Sequence, residues 1–119
     1  MELNATELKS FLDEKVQQYN TLAFINDDPI AIPHSFSKKE DIEIAAFFSA
    51  TIAWGNRKSI MTNARSLMKR MDSAPHDFIL NHTKEDLSVF DGFVHRTFQQ
   101  EDVVFFVARL QQLYNCLLY

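Results

Sequence analysis

The residues with chemistry to offer fall into two sets. His34, Asp41, Glu43, Asn56, Arg57, His95 and Arg96 could move protons or hold an anion, and Lys58, Arg65 and Lys69 could neutralise phosphate. The sharpest local feature is the run Trp54-Gly55-Asn56-Arg57-Lys58. Asn56 has the right chemistry to cap a helix beginning at Arg57, and a helix N-terminus presents free N–H groups and a partial positive charge that favour anions. Arg57 and Lys58 in that first turn oppose the preference unless an anion is present. By helical-wheel geometry Arg57 projects near the apolar side, where a guanidinium requires a carboxylate or a phosphate. Two readings follow. One is an anion site built from Asn56, the following N–H groups and Arg57. The other is a salt bridge from Arg57 to Glu43 or Asp41 that pins two helices, the commoner fate of a half-buried charge.

Glu43 shares a helix face with Glu40, Phe47 and Trp54 and should point inward or to a rim. It could serve as a general acid or base, although a hydrogen-bond acceptor for backbone or arginine is the plainer role. The histidines are His34, His76, His82 and His95, and no two stand four apart on one helix as a zinc pair would. His34 and His95 could meet Asp28 or Asp41 at a metal, but no spacing supports it, so neither metal nor cofactor is expected. Lys58, Arg65 and Lys69, with Arg70 nearby, form a basic stripe that could follow a phosphate backbone or simply face solvent. The pairs Phe47-Phe48 and Phe105-Phe106 lie inside apolar runs and read as core.

These groups need elements to position them, and the dominant one is Asp41 to Trp54. From Ile44 through Asn56 there is no charge, so the helix should be buried on every side. Thirteen uncharged residues span roughly 20 Å, too short for a bilayer core of ~30 Å. The chain has 119 residues, 46% apolar with eleven Phe, enough for a sizeable core. Two Gly and three Pro favour helices over a turn-rich β-domain. A net charge of −4 excludes a whole-surface nucleic-acid binder while leaving room for a local basic face. One cysteine, Cys116, precludes an internal disulfide. The start, MELNATELKS, shows no signal-peptide pattern, so the cytoplasm is the expected compartment.

In chain order, Asn4 and Glu7 make a capping box for a first helix whose apolar stripe is Leu8, Phe11, Leu12, Val16 and Tyr19. Phe24 to Phe36, carrying Pro29 and Pro33, reads as an extended strap laid on the core. Ser37 and Glu40 make a second capping box at the start of the central helix, and Gly55 ends it. A helix over about Arg57 to Met71 follows, with Ile60, Ala64, Leu67, Met68 and Met71 on its inner side. Short helical turns are predicted after Pro75 and Thr83, a turn at Asp91-Gly92, and an extended piece over Phe93 to Phe98. Thr97 with Gln100 could cap the last helix, whose stripe is Val103, Val107, Leu110, Tyr114 and Leu117. That helix reaches Leu117, Leu118 and Tyr119 without a stop signal, which suggests the front part of a longer protein or an apolar tail that meets a partner.

The stretches DPIAIPHSF (Asp28 to Phe36), DIEIAAFFSATIAWGNRKSI (Asp41 to Ile60) and GFVHRTF (Gly92 to Phe98) resemble a bacterial family catalogued as domain of unknown function 2400. The resemblance runs from about Tyr19 onward. It implies a protein roughly twice this length, and it carries no activity or catalytic assignment. It transfers only the motif positions Asp28, Pro29, Pro33, His34, Asp41, Glu43, Trp54, Gly55, Arg57, His95, Arg96 and Phe98. A weaker, fold-level analogy links the apolar helix, polar junction and amphipathic helix to the opening of helix-hairpin-helix DNA glycosylases. Their glycine-rich hairpin and catalytic aspartate have no match here.

The expected fold is thus all-α, a compact bundle of about five helices around a buried central helix at about 38–54. Residues 1–119 form one helical domain or the N-terminal fragment of a larger one. The leading functional expectation is a nucleic-acid-associated helical module using Lys58, Arg65, Lys69 and the Asn56–Arg57 junction. The alternatives are an enzyme domain that gathers His34, Glu43, Arg57, His95 and Arg96, completed by further C-terminal residues, and a structural or protein-interaction domain. No membrane association is expected, and self-association could use the apolar C-terminal helix.

Overall fold

The first helix obeys its signals and yet stays outside the core. In the computed structural model, which describes residues 2–116, α1 runs Ala5–Tyr19 and begins on a complete Asn4/Glu7 capping box. None of its residues is buried. Phe11 is 46% exposed and Val16 57%, and the described structure is long, 58 × 35 × 23 Å, as an outlying helix makes it.

Residues 24–36 are not an extended strap. They form α2 (Leu22–Asn26) and α3 (Ala31–His34), two short helices. Pro33 occupies the first turn of α3, where its missing N–H would have no helical partner, so proline costs little there. Asp28 Oδ1 accepts the Ile30 N–H at 3.0 Å, and Ala31 and Ile32 donate back to Asp28 and Pro29 at 2.9 and 3.0 Å. Those bonds wind the segment into turns.

The central helix, α4, spans Lys39–Thr51, shorter than the expected 38–54. The Ser37/Glu40 capping box does not form; Lys38 is the N-cap and supplies no side-chain bond. At the far end the Thr51 hydroxyl donates to the Phe47 carbonyl at 2.7 Å, and the chain leaves helical geometry at Ile52. Ile44, Ala45, Phe48 and Ile52 are buried, but α4 is not covered all round, since Ile42, Phe47 and Ala50 are exposed.

Asn56 caps α5 (Arg57–Arg70), its Oδ1 accepting the Ser59 N–H at 3.2 Å, as expected. Ile60, Ala64, Leu67, Met68 and Met71 meet the buried face of α4. α6 (Pro75–Asn81) and a 3-10 helix (Glu85–Phe90) follow, the latter preceded by a reciprocal Thr83–Asp86 capping box. Instead of a plain extended connection there is a small antiparallel hairpin, β1 (Val94–His95) and β2 (Phe98–Gln99), with His95 opposite Phe98. α7 (Gln100–Cys116) closes the described chain, and Val103, Val107 and Tyr114 enter the core. The Thr97/Gln100 box is absent; Gln100 accepts the Gly92 N–H instead at 2.7 Å, and Asp102 takes the N–H of Gln99 at 2.9 Å. The predicted contact at Leu117, like Leu118 and Tyr119, lies outside the described residues.

The fold is therefore mostly helical, with more and shorter helices than the five expected. Phe48, fully buried at the centre of α4, should be its main anchor. Phe48→Ala is expected to remove about 3–5 kcal/mol of unfolding free energy. Phe11→Ala, on the outlying α1, should remove less than about 0.5 kcal/mol. Urea denaturation followed by circular dichroism measures both, and a large loss at Phe11 would mean that α1 packs more closely than it does here.

Candidate functional site

The candidate residues separate along α4, whose thirteen residues span roughly 20 Å. At its N-terminal end Asp41 Oδ1 accepts the backbone N–H of His76 at 2.9 Å. His76 is the second residue of α6, and the N-cap Ala74 has no side chain to offer, so a carboxylate from another helix does the capping. Glu43 Oε2 accepts the Tyr114 hydroxyl at 2.7 Å, while its Oε1 stands 3.8 Å from Lys39 Nζ. The phenol is held well above its ordinary value of 10.0, first by burial and then by the bond to Glu43 and the nearby charges of Glu43, Glu40 and Asp41. The His76 ring meets Tyr114 edge-on at 5.0 Å. Both acids thus tie α4 to α6 and α7.

The other end is built differently. Past Ile52 the backbone lacks helical partners, and the Trp54 carbonyl accepts from His95 Nε2 at 3.0 Å. A carbonyl can only accept, so Nε2 carries the proton and Nδ1 takes the Asn63 amide N–H, 2.7 Å away. The ring is 3% exposed with both nitrogens engaged, which makes His95 a brace between α4, α5 and the hairpin. Arg96, at φ 56° in the hairpin turn, lays its guanidinium over the Trp54 indole at 4.8 Å. A Cβ on Gly55 would sit 2.8 Å from Arg96 Nη1, the far end of a flexible side chain, so it is the backbone at φ +105° that needs glycine.

Arg57 does not bridge to Glu43 or Asp41. It is exposed, and among the described residues it has no ion pair. It lines a pocket of about 470 Å³ between the Asp28–Pro33 segment, α4 and the start of α5. Its apolar walls include Pro29, Ile30, Ala46 and Ile60. Two residues with polar side chains share it with Arg57: Asp28 and Ser49. Ser49 is 3% exposed and its Oγ has no hydrogen-bond partner among the described residues. Leaving such a hydroxyl unsatisfied costs about 1–3 kcal/mol.

His34 is exposed and lines a separate apolar groove with Pro33, Phe36 and Ile42. The five-residue enzyme site therefore does not assemble: Glu43 is at one end of α4, Arg57, His95 and Arg96 are near the other, and His34 stands apart. Among the described residues no group of three His, Cys, Asp or Glu could hold a metal.

Of the basic stripe, Lys58, Arg65 and Lys69 are exposed and form no ion pair among the described residues. Arg70 differs. Its Nη1 donates to the carbonyls of Val89 and Asp91 at 2.7 and 3.0 Å, which clamps the 3-10 helix. Arg65 and Lys69 also border a groove against Ala31, Ser35 and Phe36 of the α3 region. Sequence reasoning missed Asn63 and Tyr114 as polar partners and Ser49 as a buried hydroxyl without one. The signal for Ser49 was its hydroxyl inside an otherwise apolar run.

The family described as "Protein of unknown function (DUF2400)" matches residues 28–117, more than half of the chain. No curated protein and no solved structure matches it. Among the described residues no helix is long and apolar enough to cross a membrane.

Two outcomes follow from the geometry at the ends of α4. Below pH ~10 both the folded and the unfolded chain keep the Tyr114 proton, and the Tyr114–Glu43 bond contributes in full. As pH rises further the unfolded chain releases its proton first, so stability falls. Tyr114→Phe should cost about 1 kcal/mol at neutral pH and flatten that alkaline fall, measured by urea melts across pH. Gly55→Ala should cost about 1–3 kcal/mol from the positive φ alone, since Arg96 can swing aside.

Proposed function

The chain belongs to the DUF2400 family, whose description assigns no activity, and we propose that its function is to bind nucleic acid through the exposed face of α5 and the adjoining Trp54–Lys58 junction. One observation carries this reading. α5 holds Arg57, Lys58, Arg65, Lys69 and Arg70 and no acidic residue, in a chain whose net charge is −4. Arg70 is occupied by carbonyls, which leaves four cations facing water over roughly 18 Å of helix. An exposed helix in an acidic protein would ordinarily interleave acids at i, i+4 with its lysines, as Lys9 and Asp13 do on α1. Here that neutralisation is absent. Two of the three acids in the first half of α4, Asp41 and Glu43, are turned into α6 and α7.

Such a face suits the backbone of a strand. Four cations at these spacings could each displace a counterion, and the affinity they produce falls with salt. Thr62, also exposed on this face, and the uncapped N–H groups at the start of α5 add neutral donors for phosphate oxygens. No base-reading element is implied by the stripe itself, so sequence preference along it should be weak.

The test is a fluorescence-anisotropy titration with labelled single- and double-stranded oligonucleotides over a salt series. The Lys58→Ala/Arg65→Ala/Lys69→Ala variant should reduce the slope of log K against log salt by about 2–3, at roughly 0.7–0.9 per lost phosphate contact. An unchanged slope, or no binding by the original protein at low salt, would contradict the reading.

A further inference from the structure

α1 leaves the most continuous apolar surface among the described residues. Leu8, Leu12, Val16 and Tyr19 are all exposed on it, and none of its fifteen residues is buried. A folded chain rarely leaves such a stripe in water. Tyr19 meets Phe24 edge-on at 5.9 Å, and the helix otherwise stands off the body across a cleft of about 1040 Å³. Leu12, Val16 and Tyr19 form one wall of that cleft, and Phe24, Ile25 and Ile30 form the other. Ala5 and Leu8, the N-terminal half of the stripe, do not line it.

The spacing of the stripe selects its occupant. Leu8 and Val16 lie four residues to either side of Leu12, and Ala5 and Tyr19 lie seven, so the stripe is symmetric about Leu12. A two-fold axis through Leu12 lays a second, antiparallel α1 on the first, with Leu12 on Leu12, Leu8 on Val16 and Ala5 on Tyr19. The smallest side chain then faces the largest. At 100° per residue Lys9 and Asp13 share one edge of the stripe, and Phe11 and Lys15 the other. The same axis brings Lys9 of each copy beside Asp13 of the other, an opposite-charge pair. On the far edge it sets Lys15 beside the other copy's Phe11, the kind of contact Lys15 already makes with its own Phe11 at 5.5 Å.

The cleft suits the same occupant, because the axis carries the Ala5–Leu12 half of each copy into the cleft of the other. Two turns of helix, a cylinder about 10 Å across and about 11 Å long, displace roughly 850 Å³. The cleft holds about 1040 Å³. With both stripes and both clefts covered, each copy buries on the order of 500–800 Å², which reaches the roughly 1,000 Å² total of a specific interface. α7, the helix expected to self-associate, is less suited: Phe105 and Leu113 are exposed on it, but Arg109 stands between them and lies over Phe105 at 5.1 Å. We propose that α1 is a self-association arm, which pairs with α1 of a second copy of this chain in an antiparallel two-fold dimer centred on Leu12.

Sedimentation velocity of the full chain over about 5–200 µM reads the pairing. The weight-average mass should climb from 13.8 kDa toward twice that value. Leu12 meets its own equivalent, so Leu12→Asp sets two carboxylates face to face and should weaken the dimer at least roughly tenfold. Phe105→Asp and Leu113→Asp, on α7, should leave it unchanged. Circular dichroism at about 5 µM, where the monomer dominates, should be the same for all three variants, because each of these side chains is exposed. Disulfide trapping in a Cys116→Ser background tests the axis. Leu12→Cys should cross-link to its own copy, and Tyr19→Cys, about 20 Å from its equivalent, should not. A 13.8 kDa monomer throughout the range overturns the proposal. So does a dimer that survives Leu12→Asp, or one that cross-links at Tyr19→Cys.

Discussion

A helix that stops short leaves carbonyls without donors, and here the Trp54 carbonyl finds its donor in the His95 ring, forty-one residues on and 3.0 Å away. The rest of the junction depends on that bond. It fixes the direction in which the chain leaves α4. It also draws the hairpin against α5 through Asn63 and places Arg96 on the Trp54 face. The turn that follows takes Gly55 to φ +105°, where glycine is favoured, and delivers Asn56 as the cap of α5. Arg57 then faces a pocket rather than an acid. His95, a candidate site residue, works as a brace, and Arg57, whose commoner reading was a salt bridge, is left open.

The two ends of α4 divide the charges of the molecule. Two acids at the N-terminal end are spent on holding helices: Asp41 caps α6, and Glu43 binds a buried tyrosine. Cations at the C-terminal end, on α5, are left facing water except for Arg70. At physiological salt, fields fade over ~8 Å, so a ligand at α5 senses this local excess more than the net charge of −4. Bulk acidity and a basic face coexist because the acids lie on other elements, two of them held against α6 and α7, while α5 has none.

Local rules carried much of the fold in the sequence. Asn4/Glu7, Asn56, Pro75 and Thr83 each marked a helix start that forms, because caps act within three residues. The inner stripe of α5 is buried as its period required. Failures came both from local turns that outweighed a residue's usual preference and from partners distant in the chain. Pro29 and Pro33 looked extended because proline disfavours helix before it, yet in helices this short they fall in turns and first turns, where that preference is weak. The uncharged run from Ile44 onward was read as fully enclosed, but alanines and a serine on one side of α4 leave a groove instead. The Asn56 cap and the outward direction of Lys58, Arg65 and Lys69 were legible from spacing alone, whereas Arg57, expected near the apolar side, is exposed. Asn63 on His95, Glu43 on Tyr114 and Asp41 on His76 were not legible, since pairings 32 to 71 residues apart leave no local mark.

The central claim is that ligands meet this protein at the C-terminal end of α4 and along α5, while the opposite end only holds the fold. Backbone amide shift mapping during titration with a short single-stranded oligonucleotide tests it most directly. The account predicts perturbations at Gly55 to Ser59 and at Thr62, Arg65 and Lys69, with Glu43, His76 and Tyr114 unmoved. Shifts gathered around Glu43, His76 and Tyr114, or none on α5, would contradict it.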